Sequence, residues 1–123
     1  AVVGIEARGF IFGGALACEL NAGFVLIRKK GKLPHETIEH TYDLEYGTDT
    51  VEMHIDSVSP GEKVLVIDDL LATGGTANAA VELLKKAGAN VVEAAFLVEL
   101  DFLSGRDKLG VPSYSIIHYD GET

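Results

Sequence analysis

The residues most able to do chemistry lie between Val64 and Thr76, in the run V-L-V-I-D-D-L-L-A-T-G-G-T. An apolar strand ends there in two carboxylates, Asp68 and Asp69, and a loop of small residues precedes a predicted helix. Backbone N–H groups of such a loop can converge on a phosphate, and the positive end of the helix dipole adds to the attraction. Paired carboxylates suit the hydroxyls of a ribose or a hydrated divalent metal. The run therefore predicts a site for a phosphorylated sugar.

The loop residues are expected to divide this work. Gly74 and Gly75 let the backbone approach a phosphate closely, while Thr73 and Thr76 offer hydroxyl donors. No lysine follows the glycines as in a Walker A loop, and the chain contains no G-x-G-x-x-G fingerprint. The simpler alternative is a glycine-rich turn in which Thr76 caps the helix. The length of the whole run favours the phosphate site.

Composition restricts the class of protein. The 123 residues are 47% hydrophobic with 14 glycines, which predicts one α/β domain rather than a disordered chain. A formal charge of -9 argues against a nucleic-acid surface, and no apolar run approaches the ~18 residues of a membrane helix. The single Cys18 lies among apolar residues of a predicted helix, so its side chain is expected to pack internally. One cysteine also fits a reducing, cytoplasmic location. The four histidines show no metal-ligand spacing.

Apolar strands alternate with amphipathic segments along the chain. The pattern predicts strands over residues 2–5, 24–27, 64–67, 91–98 and 114–118, helices over 10–20 and 76–86, and a ribbon over 41–55 whose turn contains 47–49. Fully apolar strands alternating with helices indicate a mostly parallel sheet covered on both faces. Ligands bind at the carboxyl ends of such strands, which points to the loops after Ile5, Ile27 and Ile67.

Three ordered motifs resemble those of the type I phosphoribosyltransferases. D-D-L-L-A-T-G-G-T is similar to the family's phosphoribosyl diphosphate signature, in the form of its adenine-specific members. G-I-E-A-R-G-F (4–10) resembles the diphosphate loop, while R-K-K-G-K-L-P (28–34) and Y-D-L-E-Y-G (42–47) resemble the mobile flap. The resemblance covers essentially the whole chain. It implies one domain over 1–123, with a mostly parallel twisted sheet, flanking helices and a β-ribbon flap at about 29–56.

The resemblance also implies an activity. Members of the family transfer the 5-phosphoribosyl group of phosphoribosyl diphosphate to adenine, giving AMP and diphosphate, with Mg²⁺ and a flap that excludes water. Such an enzyme of purine salvage is expected to be a cytoplasmic homodimer that binds neither nucleic acid nor membrane. The metal is expected to be carried by substrate and water, near the two aspartates rather than bound directly by the protein.

Individual roles follow from the matched motifs. The residues implied for the 5-phosphate are Ala72, Thr73, Gly74, Gly75 and Thr76, and those for the ribose are Asp68 and Asp69. The residues implied for the diphosphate are Glu6, Ala7, Arg8, Arg28, Lys30 and Lys32, with a cis peptide between Glu6 and Ala7. Leu70 and Tyr46 are implied to contact adenine, and Glu45 and Arg8 to be catalytic.

The beginning of the sequence departs from the family pattern. Family members have a helical segment before the first strand that forms a hood over adenine, whereas this chain opens on an apolar strand at Ala1. We therefore expect a shortened or engineered chain with a nearly complete sugar-phosphate site, half of a base site and weakened activity. The alternatives are a regulatory module that binds phosphoribosyl diphosphate, an engineered minimal core without catalysis, and an enzyme for a different base.

Overall fold

A computed structural model describes residues 1–34, 36–44 and 47–121 of the chain. The strands in this part are β1 Val2–Ile5, β2 Phe24–Lys29, β3 Thr37–Leu44, β4 Gly47–His54, β5 Lys63–Leu71, β6 Asn90–Leu100 and β7 Ser113–Tyr119. The α-helices are α1 Arg8–Leu20 and α2 Gly75–Lys86, and 3₁₀ turns span Asp101–Leu103 and Gly105–Lys108. No helix in the described ranges is long and apolar enough to cross a membrane.

The strands form one sheet in the order β3-β4-β2-β1-β5-β6-β7. Strands β2, β1, β5, β6 and β7 are parallel, whereas β4 pairs antiparallel with both β2 and β3. Val2 and Ile67 pack with Ala17 of α1, while Val3 and Val66 belong to the larger core cluster that contains the apolar face of α2. The two faces of the sheet are therefore covered by different helices, which confirms the predicted fold class.

Helix α1 contacts the sheet through its smallest side chains. Gly9, Gly13 and Ala17 are buried at intervals of four residues, one face of a helix, and Asn21 ends the helix in the left-handed conformation at φ 51°. The expectation that Cys18 packs internally was wrong, because its side chain is exposed. Spacing alone could not show that this helix approaches the sheet too closely for large side chains.

Strand β5 is longer than the apolar pattern predicts. The pattern ends at Ile67, but β5 continues beside β6, with Asp68 opposite Phe96 and Leu71 opposite Glu99. The two aspartates therefore lie within a strand and not in the loop that follows it. Backbone pairing with β6 outweighs the low strand propensity of aspartate.

The antiparallel ribbon begins and turns earlier than predicted. β3 begins at Thr37, and Leu44 pairs with Gly47. Residues 47–49 therefore belong to β4 and not to the turn. The ribbon lies at the edge of the sheet beside β2 and packs Ile38 and Tyr42 against the main core cluster.

Two glycines of α1 provide a test of the close approach between α1 and β5. A Cβ at Gly9 would lie 2.8 Å from the carbonyl oxygen of Ile67, whereas a Cβ at Gly14 would meet no atom within 4 Å. We expect Gly9→Ala to destabilise the fold by about 1–3 kcal/mol. Gly14→Ala should stabilise it by about 0.5–1 kcal/mol, because alanine loses less backbone entropy in a helix. Urea denaturation measures both, and equal stabilities would contradict the close approach.

Candidate functional site

A cavity of about 270 Å³ lies at the carboxyl ends of the central strands. Its lining residues come from the residue after β1, the end of β2, the end of β5, the loop that follows β5 and the start of α2. They are Glu6, Lys29, Asp68, Asp69, Leu70, Leu71, Ala72, Thr73, Gly74, Gly75, Thr76 and Ala77. In the sheet, β2 lies on one side of β1 and β5 lies on the other. Such a reversal of strand order is where ligands bind in open α/β sheets.

The loop between β5 and α2 is held by a close backbone contact. Gly74 has φ 87°, and a Cβ there would lie 2.5 Å from the carbonyl oxygen of Gly105. Gly105 is itself buried against the carbonyl oxygen of Ala72. Larger residues would separate the 3₁₀ turn from the loop, so both glycines are needed for the loop to take this shape.

Helix α2 begins directly after this contact. Gly74 is the N-cap and makes no side-chain cap, and its carbonyl accepts the N–H of Asn78 at 2.8 Å. Thr76 lies inside the first turn of the helix, so the alternative in which Thr76 caps the helix was wrong. The N–H groups at the start of α2 therefore have no capping side chain and lie beside the cavity that Gly74, Gly75 and Thr76 line.

The two aspartates of β5 differ in environment. Burial, with a further contribution from the neighbouring Asp69 carboxylate, raises the pKa of Asp68 to about 7, although its Oδ1 accepts the Asp69 N–H at 2.9 Å. Asp69 Oδ2 accepts from Nη1 of Arg8 at 3.1 Å, and the Arg8 side chain is 78% exposed. Arg8 thus reaches the aspartate pair from the first turn of α1 with its guanidinium open to solvent.

Glu6 gathers basic groups at the end of β1. Its carboxylate accepts the Lys29 N–H at 2.8 Å and Nε of Arg28 at 3.4 Å, and it forms a short contact with Nζ of Lys32. Burial by itself would raise the pKa of Glu6, but these donors, Lys32 foremost, bring it below the ordinary value. The peptide between Glu6 and Ala7 is cis, as the family resemblance implied.

Some residues proposed from sequence lie elsewhere. Lys30 is paired with Glu39 at 3.3 Å, and like Arg8, Arg28 and Lys32 it is not among the residues that line the cavity. Glu45 and Tyr46 lie outside the described residues, so their implied roles stay predictions. Leu70 lines the cavity and is 40% exposed.

Lys29 is a site residue that the sequence analysis missed. Its ammonium lies against Asp49 at 2.6 Å and the Tyr42 hydroxyl at 2.9 Å, and the residue lines the cavity. The alternation of side chains along β2 could have indicated this role. Lys29 follows the buried Val25 and Ile27 at intervals of two, which places it on the α2 side of the sheet together with the phosphate loop.

A second group of polar residues surrounds a cavity of about 330 Å³ near the end of β6. Glu99, Asp101 and His118 bring potential metal ligands within 4.8 Å of one another, which the spacing of the histidines did not predict. Arg106, however, donates to both oxygens of the buried Glu99 carboxylate at 3.0 and 2.8 Å, and Ser115 donates at 2.8 Å. The guanidinium therefore takes the place that a cation would need, and the pair anchors the turn that contains Gly105.

The sequence and fold match known proteins over nearly the whole chain. Residues 1–120 match the family model described as phosphoribosyl transferase domain. Adenine phosphoribosyltransferase of Chelativorans sp. (strain BNC1) is 58% identical over 123 residues, covering 98% of this chain and 68% of that protein. The crystal structure of adenine phosphoribosyltransferase from Rhodothermus marinus DSM 4252 has a TM-score of 0.93 at 57% identity, covering 96% of this chain and 68% of that one.

One solved relative carries informative ligands. The adenine phosphoribosyltransferase of Trypanosoma brucei was crystallised with AMP, pyrophosphate and ribose-5-phosphate. It is 34% identical with a TM-score of 0.87, and the match covers 95% of this chain and 55% of that one.

The raised pKa of Asp68 predicts a pH-dependent effect of Asp68→Asn. Between the unfolded value near 4 and the folded value of about 7, the folded state binds the extra proton, so this group's contribution to stability falls as pH rises. Asparagine mimics the protonated carboxyl at every pH. The stability of the variant relative to wild type should therefore increase by about 1–3 kcal/mol from pH 5 to pH 8, with solvent screening reducing the full effect.

Urea denaturation at the two pH values measures this difference. Asp56→Asn, in the exposed turn after β4, controls for the loss of one negative charge. A difference between Asp68→Asn and wild type that stays the same at pH 5 and pH 8 would contradict the raised pKa.

Proposed function

The chain belongs to the phosphoribosyltransferase family, and we propose that it transfers the 5-phosphoribosyl group of phosphoribosyl diphosphate to adenine, giving AMP and diphosphate. This is a reaction of purine salvage catalysed by a pentosyltransferase. The observation that carries the proposal is one cavity lined by two strand-end carboxylates and a glycine-rich loop at a helix start. The ligands of the trypanosomal relative are the product, the leaving group and the sugar phosphate of this reaction.

The geometry supports a specific orientation of the sugar phosphate. The 5-phosphate binds the loop from Ala72 to Thr76, where backbone N–H groups and threonine hydroxyls donate to its oxygens. Asp68 and Asp69, in the strand that leads into this loop, accept hydrogen bonds from the ribose hydroxyls, since each carboxylate oxygen is an acceptor. The sugar therefore lies along the end of β5, with its anomeric carbon directed toward β1.

Basic residues bind the leaving diphosphate. Arg8 is exposed at the start of α1, and a guanidinium can bind phosphate oxygens in a bidentate manner. Arg28 and Lys32 already lie against the Glu6 carboxylate, so a diphosphate entering here meets cations that are held in place. Lys30 reaches the diphosphate only if it leaves Glu39. These positive groups stabilise the charge that develops as diphosphate departs.

The donor set also fits Mg²⁺. Asp68 and Asp69 present the carboxylate oxygens that this hard cation prefers, and Mg²⁺ keeps several waters and binds substrate phosphates. These two residues would hold the ion through water and substrate, and the ion would neutralise charge on the leaving diphosphate. Because Asp68 titrates near neutral pH, its proton must leave before it can accept such a contact at full strength.

The ribbon and the base site complete the proposal. The ribbon of β3 and β4 acts as the flap that excludes water from the sugar, and Leu70 packs against adenine from the end of β5. We propose that Glu45 protonates or hydrogen-bonds the base and that Tyr46 adjoins it, on the strength of the motif alone. The core domain of residues 1–123 supplies the sugar-phosphate site described above.

We further propose that the enzyme is a homodimer in the cytoplasm. Large apolar side chains are exposed on α1 and β7, including Ile11 at 71% and Ile116 at 62%. A free, exposed Cys18 fits a reducing compartment. Light scattering after gel filtration tests the dimer. Ile11→Asp and Ile116→Asp are measured separately, and the variant that becomes monomeric marks the surface of the dimer. A monomeric wild type would contradict the proposal.

Turnover tests the proposed reaction directly. With phosphoribosyl diphosphate and Mg²⁺, AMP should form from adenine, whereas GMP should form from guanine at least tenfold more slowly, a difference of about 1.4 kcal/mol. Asp69→Asn should reduce kcat/KM by about 10²-fold or more because it replaces one acceptor oxygen by a donor and removes the negative charge that pairs with Arg8. Asp56→Asn is the matched control. Calorimetry with phosphoribosyl diphosphate distinguishes a binding module, which would bind without turnover, from a wrong site assignment, which would show no heat.

A further inference from the structure

A chain of hydrogen bonds joins the ribbon to the phosphate loop. Nζ of Lys29 donates to Asp49 Oδ2 at 2.6 Å and to the Tyr42 hydroxyl at 2.9 Å. The Tyr42 hydroxyl in turn lies 3.2 Å from Oγ1 of Thr76. The chain thus runs from the end of β2, through β3, to the first turn of α2, and it connects two segments more than thirty residues apart.

The chemistry of the groups gives this chain a direction. An ammonium can only donate, so the Tyr42 oxygen accepts from Lys29, and its own hydrogen can go to Thr76 or to the Asp49 carboxylate. The neighbouring Asp49 carboxylate already accepts from Lys29 and from the Thr50 N–H at 2.8 Å. Once Thr76 accepts from Tyr42, its hydroxyl hydrogen is free to point elsewhere. Thr76 lines the phosphate cavity, and a phosphate oxygen requires a donor.

The position of Tyr42 fits this task. Thr76 borders both the phosphate cavity and a second cavity of about 440 Å³, which Tyr42 also lines. The Tyr42 ring packs against the main core cluster, and Lys29 lies 5.5 Å from its centroid. On the same ribbon, Glu39 accepts from Nζ of Lys86 in α2 through its carbonyl at 2.8 Å. The ribbon is therefore anchored on α2 while Tyr42 reaches the loop.

We propose that Tyr42 is a positioning residue for the 5-phosphate, which orients the Thr76 hydroxyl as a donor and fixes Lys29 beside the loop. The inference rests on the proposed function, because it assumes that the loop binds a phosphate. Hydrogen bonds in series polarise one another, so the Lys29 charge strengthens the Thr76 donor through Tyr42, in addition to lining the cavity itself. Asp49 takes part by holding the ammonium from the other side.

Calorimetry with ribose 5-phosphate tests the positioning role. Tyr42→Phe should weaken binding by about 3- to 10-fold, the range of one hydrogen bond, while KM for phosphoribosyl diphosphate rises and kcat stays within about 2-fold. Thr41→Val is the matched control, because it removes the Thr41–Thr50 hydroxyl contact at 2.9 Å from the same ribbon. The control should bind ribose 5-phosphate as wild type does. Thermal unfolding of each variant verifies that the fold is retained.

A double-mutant cycle separates positioning from a general structural effect. Adding Tyr42→Phe to Thr76→Val should cause a smaller loss of affinity than adding it to wild type, because the hydroxyl that Tyr42 orients is gone and only the placement of Lys29 remains to be lost. Thr76→Ser keeps the hydroxyl and should keep both the affinity and its dependence on Tyr42. Additive losses, or wild-type affinity in Tyr42→Phe, would overturn the inference alone. A wild-type chain that does not bind ribose 5-phosphate would overturn the proposed function as well.

Discussion

Strand β5 pairs with β1 only as far as Ile67 but continues beside β6 to Leu71. The cavity lies next to the part of β5 that extends beyond its pairing with β1. A parallel strand that outlasts its neighbour keeps one edge paired and leaves the other open to a ligand. The open edge carries Asp68 and Asp69, while pairing with β6 keeps the backbone rigid. The position of the phosphate loop and the contact of Arg8 with Asp69 both depend on this difference in strand length.

The loop itself depends on support from behind. Gly74 and Gly105 meet at a distance that excludes side chains, and the turn that contains Gly105 is tied to β6 by the ion pair between Arg106 and Glu99. A buried carboxylate with three donors is a costly feature unless it is fully satisfied, and here it is. The group that resembles a metal site is thus part of the frame that shapes the phosphate loop.

This acidic chain places its site cations by pairing them with neighbouring acids. Glu6 holds Arg28 and Lys32, Asp69 holds Arg8, and Asp49 holds Lys29. Each acid restricts the motion of a flexible cationic side chain, which therefore stays near the cavity. The pairing also explains how a net charge of -9 coexists with a site for a highly charged sugar phosphate.

Much of the fold and of the site could be predicted from the sequence, because both depend on local order. Apolar runs and glycines indicated the parallel sheet, and the run from Val64 to Thr76 indicated the phosphate loop, since its members are neighbours in the chain. The end of β5 was misplaced because pairing with β6, a distant strand, extends it through two aspartates. Lys29 was missed because the face of β2 that meets the loop is set by the sheet as a whole.

The sequence by itself determined the order of elements, the chemistry of the loop after β5 and the family, because these are properties of residue type and spacing. Only the tertiary structure decided which cations face the loop and which acids hold them. It also revealed Tyr42 between Lys29 and Thr76, and Gly105 against Gly74. These contacts join residues between 13 and 34 positions apart, and the physical reason is that only the packing of strands and helices brings such groups close together.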